Sequence, residues 1–195
     1  MVVTDREALL RRGVRLEYVT LGWNVAGVAI LTLTALAARS IALAAFGFDS
    51  LVEIGASTVV IWELTGSKDD RSSEKALRLI GIAFVVLVPY VIAVGGASLL
   101  VAGHPRPSPY GIGWTLATLV VMALLAVGKR TTGRALDNAV LLTEGRVTLV
   151  DAYLAGSVLL GLVLNRMLGW WWADPLASAV VVFYAVREAR HIFGG

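Results

Sequence analysis

Six runs of apolar sequence, most of them 18 or more residues long, leave this chain few folds to choose from. A run of that length crosses a hydrocarbon core of ~30 Å as an α-helix. In lipid the backbone must satisfy its own hydrogen bonds, which excludes open sheets and bare loops from the span. The runs fall at Tyr18–Ala38, Ile41–Leu64, Leu79–Val101, Gly111–Val127, Val147–Met167 and Trp171–Val186, the last being the shortest. The expectation is an all-α, polytopic membrane protein: a six-transmembrane-helix bundle over residues 18–187, with tails at 1–17 and 188–195.

Composition agrees. Of the 195 residues 57% are hydrophobic and 16% charged, and the mean hydropathy is +0.78, against roughly 25% charged in a soluble domain. The chain has no cysteine, so disulfides and thiolate metal sites are excluded. An "ALA" tripeptide at Ala35 to Ala37 looks like a signal-peptidase site. The apolar run before it is longer than the 7–15 residues of a signal h-region, so the segment reads as a span.

Charge fixes the expected orientation. Fourteen of the 17 basic residues lie in the first tail, the second and fourth connections and the last tail. The other side holds only Arg39, Arg106 and Arg166. By the positive-inside rule both termini are cytoplasmic, as an even number of spans requires. Because the basic residues mark connections rather than one patch, nucleic acid is not an expected partner; the lipid bilayer is. In this reading "GKRTTGRALDNAVLLTEGR", residues 128–146, is a long cytoplasmic connection. "WWWADP" supplies an interfacial aromatic belt, with Asp174 and Pro175 starting the sixth helix, and Pro89 kinks the third.

Three acids break the apolar pattern: Asp49, Glu53 and Asp151. An acid at the bilayer centre costs about 2.5–3.5 kcal/mol on insertion scales, and such residues usually mark an ion path or proton relay. Asp49 and Glu53 lie about 9 and 13 residues inside the outer end of span two, which at 1.5 Å per residue brackets the midplane. Asp151 lies about 16 residues below the outer end of span five, near the depth of Glu53. Residues i and i+4 share a helix face, so Asp49 and Glu53 form one acidic stripe turned to the bundle. Two neighbouring anions in low dielectric repel unless one is protonated or a cation lies between them.

Three polar neighbours are further candidates. Glu144 and Thr148 fall on the Asp151 face of span five, and Glu144 reads either as an extra ligand or as a solvated first-turn acid. Asn24 in span one is either a ligand or an interhelical hydrogen-bonding residue. His104 and His191 fall in a loop and a tail, where solvation is the expectation.

Together "ARSIALAAFGFDSLVEIGAS", "EGRVTLVDAYLAGSVLLGLVLN" and "GWWWADPLASAVVVFYAVREA" resemble the cation diffusion facilitator (cation efflux) family. Ser40 matches the start of that family's second span, and Asp49 and Glu53 its first ligand pair. Asp151 matches the second member of the pair in its fifth span, Val147 stands where the first belongs, and Asn24 matches a first-span Asn. The family's C-terminal cytoplasmic domain has no counterpart in this sequence, so the resemblance covers the transmembrane part.

The resemblance implies a secondary transporter exporting a divalent metal cation (zinc, manganese or iron) across the cell inner membrane by proton antiport. Asp49, Glu53 and Asp151 are then the metal residues, with Asn24, Glu144 or Thr148 completing the set. Oxygen donors alone suit manganese or iron better than zinc. Asp69 and Asp70 either gather cations at the entrance or form a solvated face. The resemblance also implies a homodimer. No organic cofactor and no enzymatic activity are expected, since no nucleophile–base pair or phosphate loop appears. The alternatives are a proton-coupled exporter of organic cations, in which Phe46, Phe48 and Tyr153 cage the cargo, and a non-transporting metal sensor or scaffold.

Overall fold

A computed structural model describes residues 3–66, 73–100, 106, 108–170 and 172–173, with positions 183, 186, 187 and 190. Five α-helices run through the described residues in order: α1 (Val3–Ala38), α2 (Ile41–Thr65), α3 (Ser73–Leu100), α4 (Pro109–Leu136) and α5 (Ala139–Leu168). Among the described residues four segments are long and apolar enough to cross a membrane: Asp5–Ala38, Ala42–Thr65, Pro109–Leu136 and Ala139–Leu168. The protein is an all-helical membrane protein. Most of the expected sixth span, Asp174 and Pro175 included, lies outside the described residues, as do Asp69, Asp70 and both histidines.

Three of the connections between helices show a local cause among the described residues. Arg39 adopts φ 51° and ends α1. Ser40 then caps α2, its hydroxyl accepting the Leu43 N–H at 3.2 Å. Ser108 does the same for α4, accepting from Gly111 N–H at 3.0 Å, with Pro109 in the first turn where a missing N–H costs nothing. Asp137 closes α4 in the left-handed region at φ 52°, and the Asn138 side chain accepts the Leu141 N–H at 2.7 Å to open α5. Helix α3 continues through Pro89.

The stretch 128–146 is therefore not a long connection. Both helices run through it, and only Asp137 and Asn138 separate them. The physical reason is the buried face of α4, which continues from Thr115, Thr118, Met122 and Leu125 through Lys129, Thr132, Gly133 and Leu136 at helical spacing. Charged residues sit within that segment, but its buried stripe never lapses. Likewise α1 begins at Val3, so residues 3–17 continue the first helix.

Helices α4 and α5 form a tight antiparallel pair. Gly145 lets them approach: a Cβ there would lie 2.7 Å from Arg130 Cγ and 3.2 Å from Lys129 Cβ. On the other side Trp23 of α1 stacks on Trp114 of α4 at 4.8 Å and donates to Thr118 Oγ1 at 3.1 Å. Beside a small apolar cluster of Met122, Leu125 and Ala152, two larger ones fill the interior among the described residues. One, towards the Ser40 end, gathers Leu31, Leu43, Phe46, Leu154 and Val158; the other, towards the Asp137 end, gathers Val60, Leu64, Leu136, Val140 and Val147. A layer of buried polar side chains lies between them. Leu33, Leu36, Leu124 and Val127 point outward, as helices in lipid require.

Candidate functional site

The polar layer has two parts. The first joins α2 to α5. Asp49 and Asp151 are buried, and their side chains lie close enough to interact across the seam between α2 and α5. Asp49 Oδ2 and Asp151 Oδ2 are buried with no hydrogen-bond partner. Glu53, one turn along α2, is 2% exposed and accepts the Thr148 hydroxyl on Oε1 at 2.9 Å. Phe48 stacks on Tyr90 of α3 at 4.0 Å, bringing a third helix against this part of α2.

The second part lies nearer the Asp137 end and is built around Lys129 of α4. Its side chain is fully buried. Nζ meets three oxygens from two helices: Glu17 Oε2 of α1 at 2.9 Å, Glu144 Oε1 of α5 at 3.1 Å and Thr148 Oγ1 of α5 at 2.9 Å. The Glu144 and Thr148 contacts are directed hydrogen bonds. The Glu17 contact is an ion pair without hydrogen-bond geometry, for both Glu17 oxygens lack a hydrogen-bond partner, as does Glu144 Oε2. Thr148 joins the two parts. Since Lys129 can only donate, the Thr148 oxygen accepts from it and its own proton goes to Glu53.

Among the residues singled out from sequence, Asp49, Glu53 and Asp151 do meet in one buried layer, with Thr148 touching Glu53. Glu144 is not a solvated first-turn acid. It is fully buried, because α5 begins five residues before it and turns it onto Lys129. Asn24 is buried on α1 and donates to the Thr20 carbonyl of its own helix at 3.1 Å. Val147 belongs to the apolar cluster towards the Asp137 end. Among the described residues no group of three or more His, Cys, Asp or Glu side chains is drawn together as a metal centre.

The aromatic trio does not surround the acids. Phe46 is buried among Leu31, Leu43 and Leu154, Phe48 lies on Tyr90, and Tyr153 is 43% exposed. Glu17 and Lys129 are the residues that reading by composition passed over. The expected tail at 1–17 takes in Glu17 and the expected connection at 128–146 takes in Lys129, although each lies on a buried stripe legible at i, i+3, i+4 spacing. On α1 that stripe runs Gly13, Glu17, Thr20, Asn24, Gly27 and Leu31.

No family model matches the chain. One curated relative, named cation-efflux pump FieF, from Shewanella oneidensis, is 27% identical over 111 residues, which is 57% of this chain and 36% of the relative. The chain thus matches about a third of that relative's length.

Proposed function

We propose that this protein is a secondary transporter that exports a divalent metal cation, of the zinc, manganese or iron kind, in exchange for protons. The observation that carries the reading is the buried Asp49–Asp151 contact between α2 and α5, each carboxyl keeping one oxygen without a partner. Carboxyls placed so deep in an apolar bundle, with lone pairs unspent, are costly as structure and apt as a cation site. Glu53, within a turn of Asp49, is the third oxygen donor. The name of the Shewanella oneidensis relative supports the same chemistry.

In the proposed mechanism the cargo arrives from the cytoplasm and binds Asp49, Glu53 and Asp151, which must shed protons to bind it. The apolar clusters on either side of the polar layer act as alternating barriers, one parting at a time. Protons entering from outside then replace the cation. A bundle of six helices with both termini cytoplasmic in the cell inner membrane completes the reading, and a pair of such bundles is its proposed assembly. An organic-cation cargo has less support, because Phe46, Phe48 and Tyr153 do not form a cage.

The test is flux of Mn²⁺ or Zn²⁺ into proteoliposomes holding an opposed pH gradient. Asp49→Ala and Asp151→Ala are each expected to abolish it. Undiminished flux in both variants would refute the reading.

A further inference from the structure

Between the first half of α1 and the last turn of α2 lies a groove of about 450 Å³. Its floor is apolar. Leu10 and Val14 of α1 and Leu64 of α2 form it, and all three belong to or pack against the apolar cluster towards the Asp137 end. Its rim is basic: Arg11 and Arg15 line it, with Tyr18, 57% exposed, next along α1. These three stand at i, i+4 and i+7 and so share one helix face.

Depth decides what this groove meets. Helix α1 has 36 residues, about 54 Å at 1.5 Å each, against a hydrocarbon core of ~30 Å. Counted from Ala38, that core is spanned about 20 residues along, at Tyr18. Arg15 and Arg11 then lie beyond it, at the level of lipid headgroups. Trp62 of α2, 39% exposed, falls at the same level when counted from Ile41. Tyr and Trp favour that boundary, where their rings are apolar on one side and wet on the other.

We propose that this groove holds one anionic phospholipid, its phosphate on Arg11 and Arg15 and the start of an acyl chain over Leu10, Val14 and Leu64. Charge, polarity and depth agree on that occupant. A guanidinium presents paired donors that match phosphate oxygens. Arg11 has an exposed partner in Glu7 at 3.6 Å, but a surface pair of this kind is weak and yields to a phosphate. Along α1 the groove passes from charged rim to apolar floor, the order in which a phospholipid passes from headgroup to chain. A soluble anion would leave that floor uncovered. Because the floor draws on both helices, a bound lipid ties the end of α2 to α1. None of this depends on the cargo proposed above, since Asp49, Glu53 and Asp151 do not line the groove.

The test is lipid retention by the full chain, released from neutral detergent and weighed intact by native mass spectrometry. Dioleoylphosphatidylglycerol is expected to stay bound at one molecule per chain, and dioleoylphosphatidylcholine to be lost. In Arg11→Gln/Arg15→Gln retention should fall roughly tenfold or more, because both headgroup contacts are gone. Arg6→Gln/Arg12→Gln removes the same charge from exposed positions of α1 that do not line the groove, and should retain the lipid. Leu10→Trp fills the floor without altering charge and should lower retention as the arginine pair does. Arg11 and Arg15 are exposed, so their double variant should unfold at the same temperature as the unsubstituted chain when no lipid is added. Equal retention of the two lipids overturns the proposal, as does equal loss in the two arginine double variants, which would mean diffuse charge alone. Displacement of the lipid by an equal concentration of glycerol 3-phosphate overturns it in favour of a free-anion site. A double variant at Arg11 and Arg15 that keeps its lipid but forms fewer dimers overturns it in favour of a face for a second copy.

Discussion

The Asp49–Asp151 pair and the Glu17–Lys129–Glu144 cluster are both buried carboxylates in apolar helices, yet they solve the cost of burial differently. In the second cluster a tethered ammonium touches one oxygen of each carboxylate. In the first, carboxyl meets carboxyl, and no basic side chain touches it among the contacts described. A lysine in place removes the need for an external cation. Its absence leaves a site that only a mobile cation or protons can balance. The difference divides one polar layer into a part balanced within the fold and a part with no basic partner, to which the proposed exchange is assigned.

The largest expected effects oppose each other. Lys129→Ala leaves two buried anions unpaired and should cost about 3–5 kcal/mol, the penalty typical of breaking a buried ion pair from one side. Asp49→Ala removes an anion that has no basic partner, and is expected to leave stability unchanged or slightly raised while transport is lost. Unfolding of both variants in metal-free detergent solution checks the pair. Equal losses would erase the distinction between the two parts.

A smaller effect is expected at Thr148, where the parts join. Thr148→Val keeps the shape but withdraws an acceptor from Lys129 and a donor from Glu53. A loss of about 1–3 kcal/mol should follow, together with weaker cation binding at Glu53. Thr148→Ser, which keeps the hydroxyl, should recover most of both. If valine is neutral in unfolding and in cation titration, the two parts are energetically independent.

The smallest effect lies outside the layer. Asn138→Ala removes the cap of α5 and the contacts of Asn138 Nδ2 with Glu63 at 3.2 and 3.3 Å. Loss of the cap costs about 1 kcal/mol. Stability should fall by that amount with metal affinity unchanged. A changed affinity would mean that the α4–α5 turn, remote from the polar layer, positions its residues.

Much of this was legible from pattern. The apolar runs dictated helices, because lipid offers the backbone no other partner. The four-residue step from Asp49 to Glu53 dictated one acidic face, and the depth of Asp151 placed it opposite. Charge counting was less informative. It puts Lys129 in a solvated connection because charged residues usually mark loops, whereas here Lys129 and Glu144 neutralise each other inside the bundle. The buried stripes on α1 and α4 carried the contrary signal, since helical periodicity continues through both Glu17 and Lys129.

The sequence alone determined the helical, apolar character of the chain and the presence of acids within its apolar helices. Both follow from local rules of length, hydropathy and spacing along one helix. Which acids receive a lysine and which are left facing each other was decided by tertiary structure. That choice depends on how α1 and α4 rotate against α5, and rotation is set by packing, such as the close approach at Gly145 and the Trp23–Trp114 stack. No spacing within a single helix encodes it.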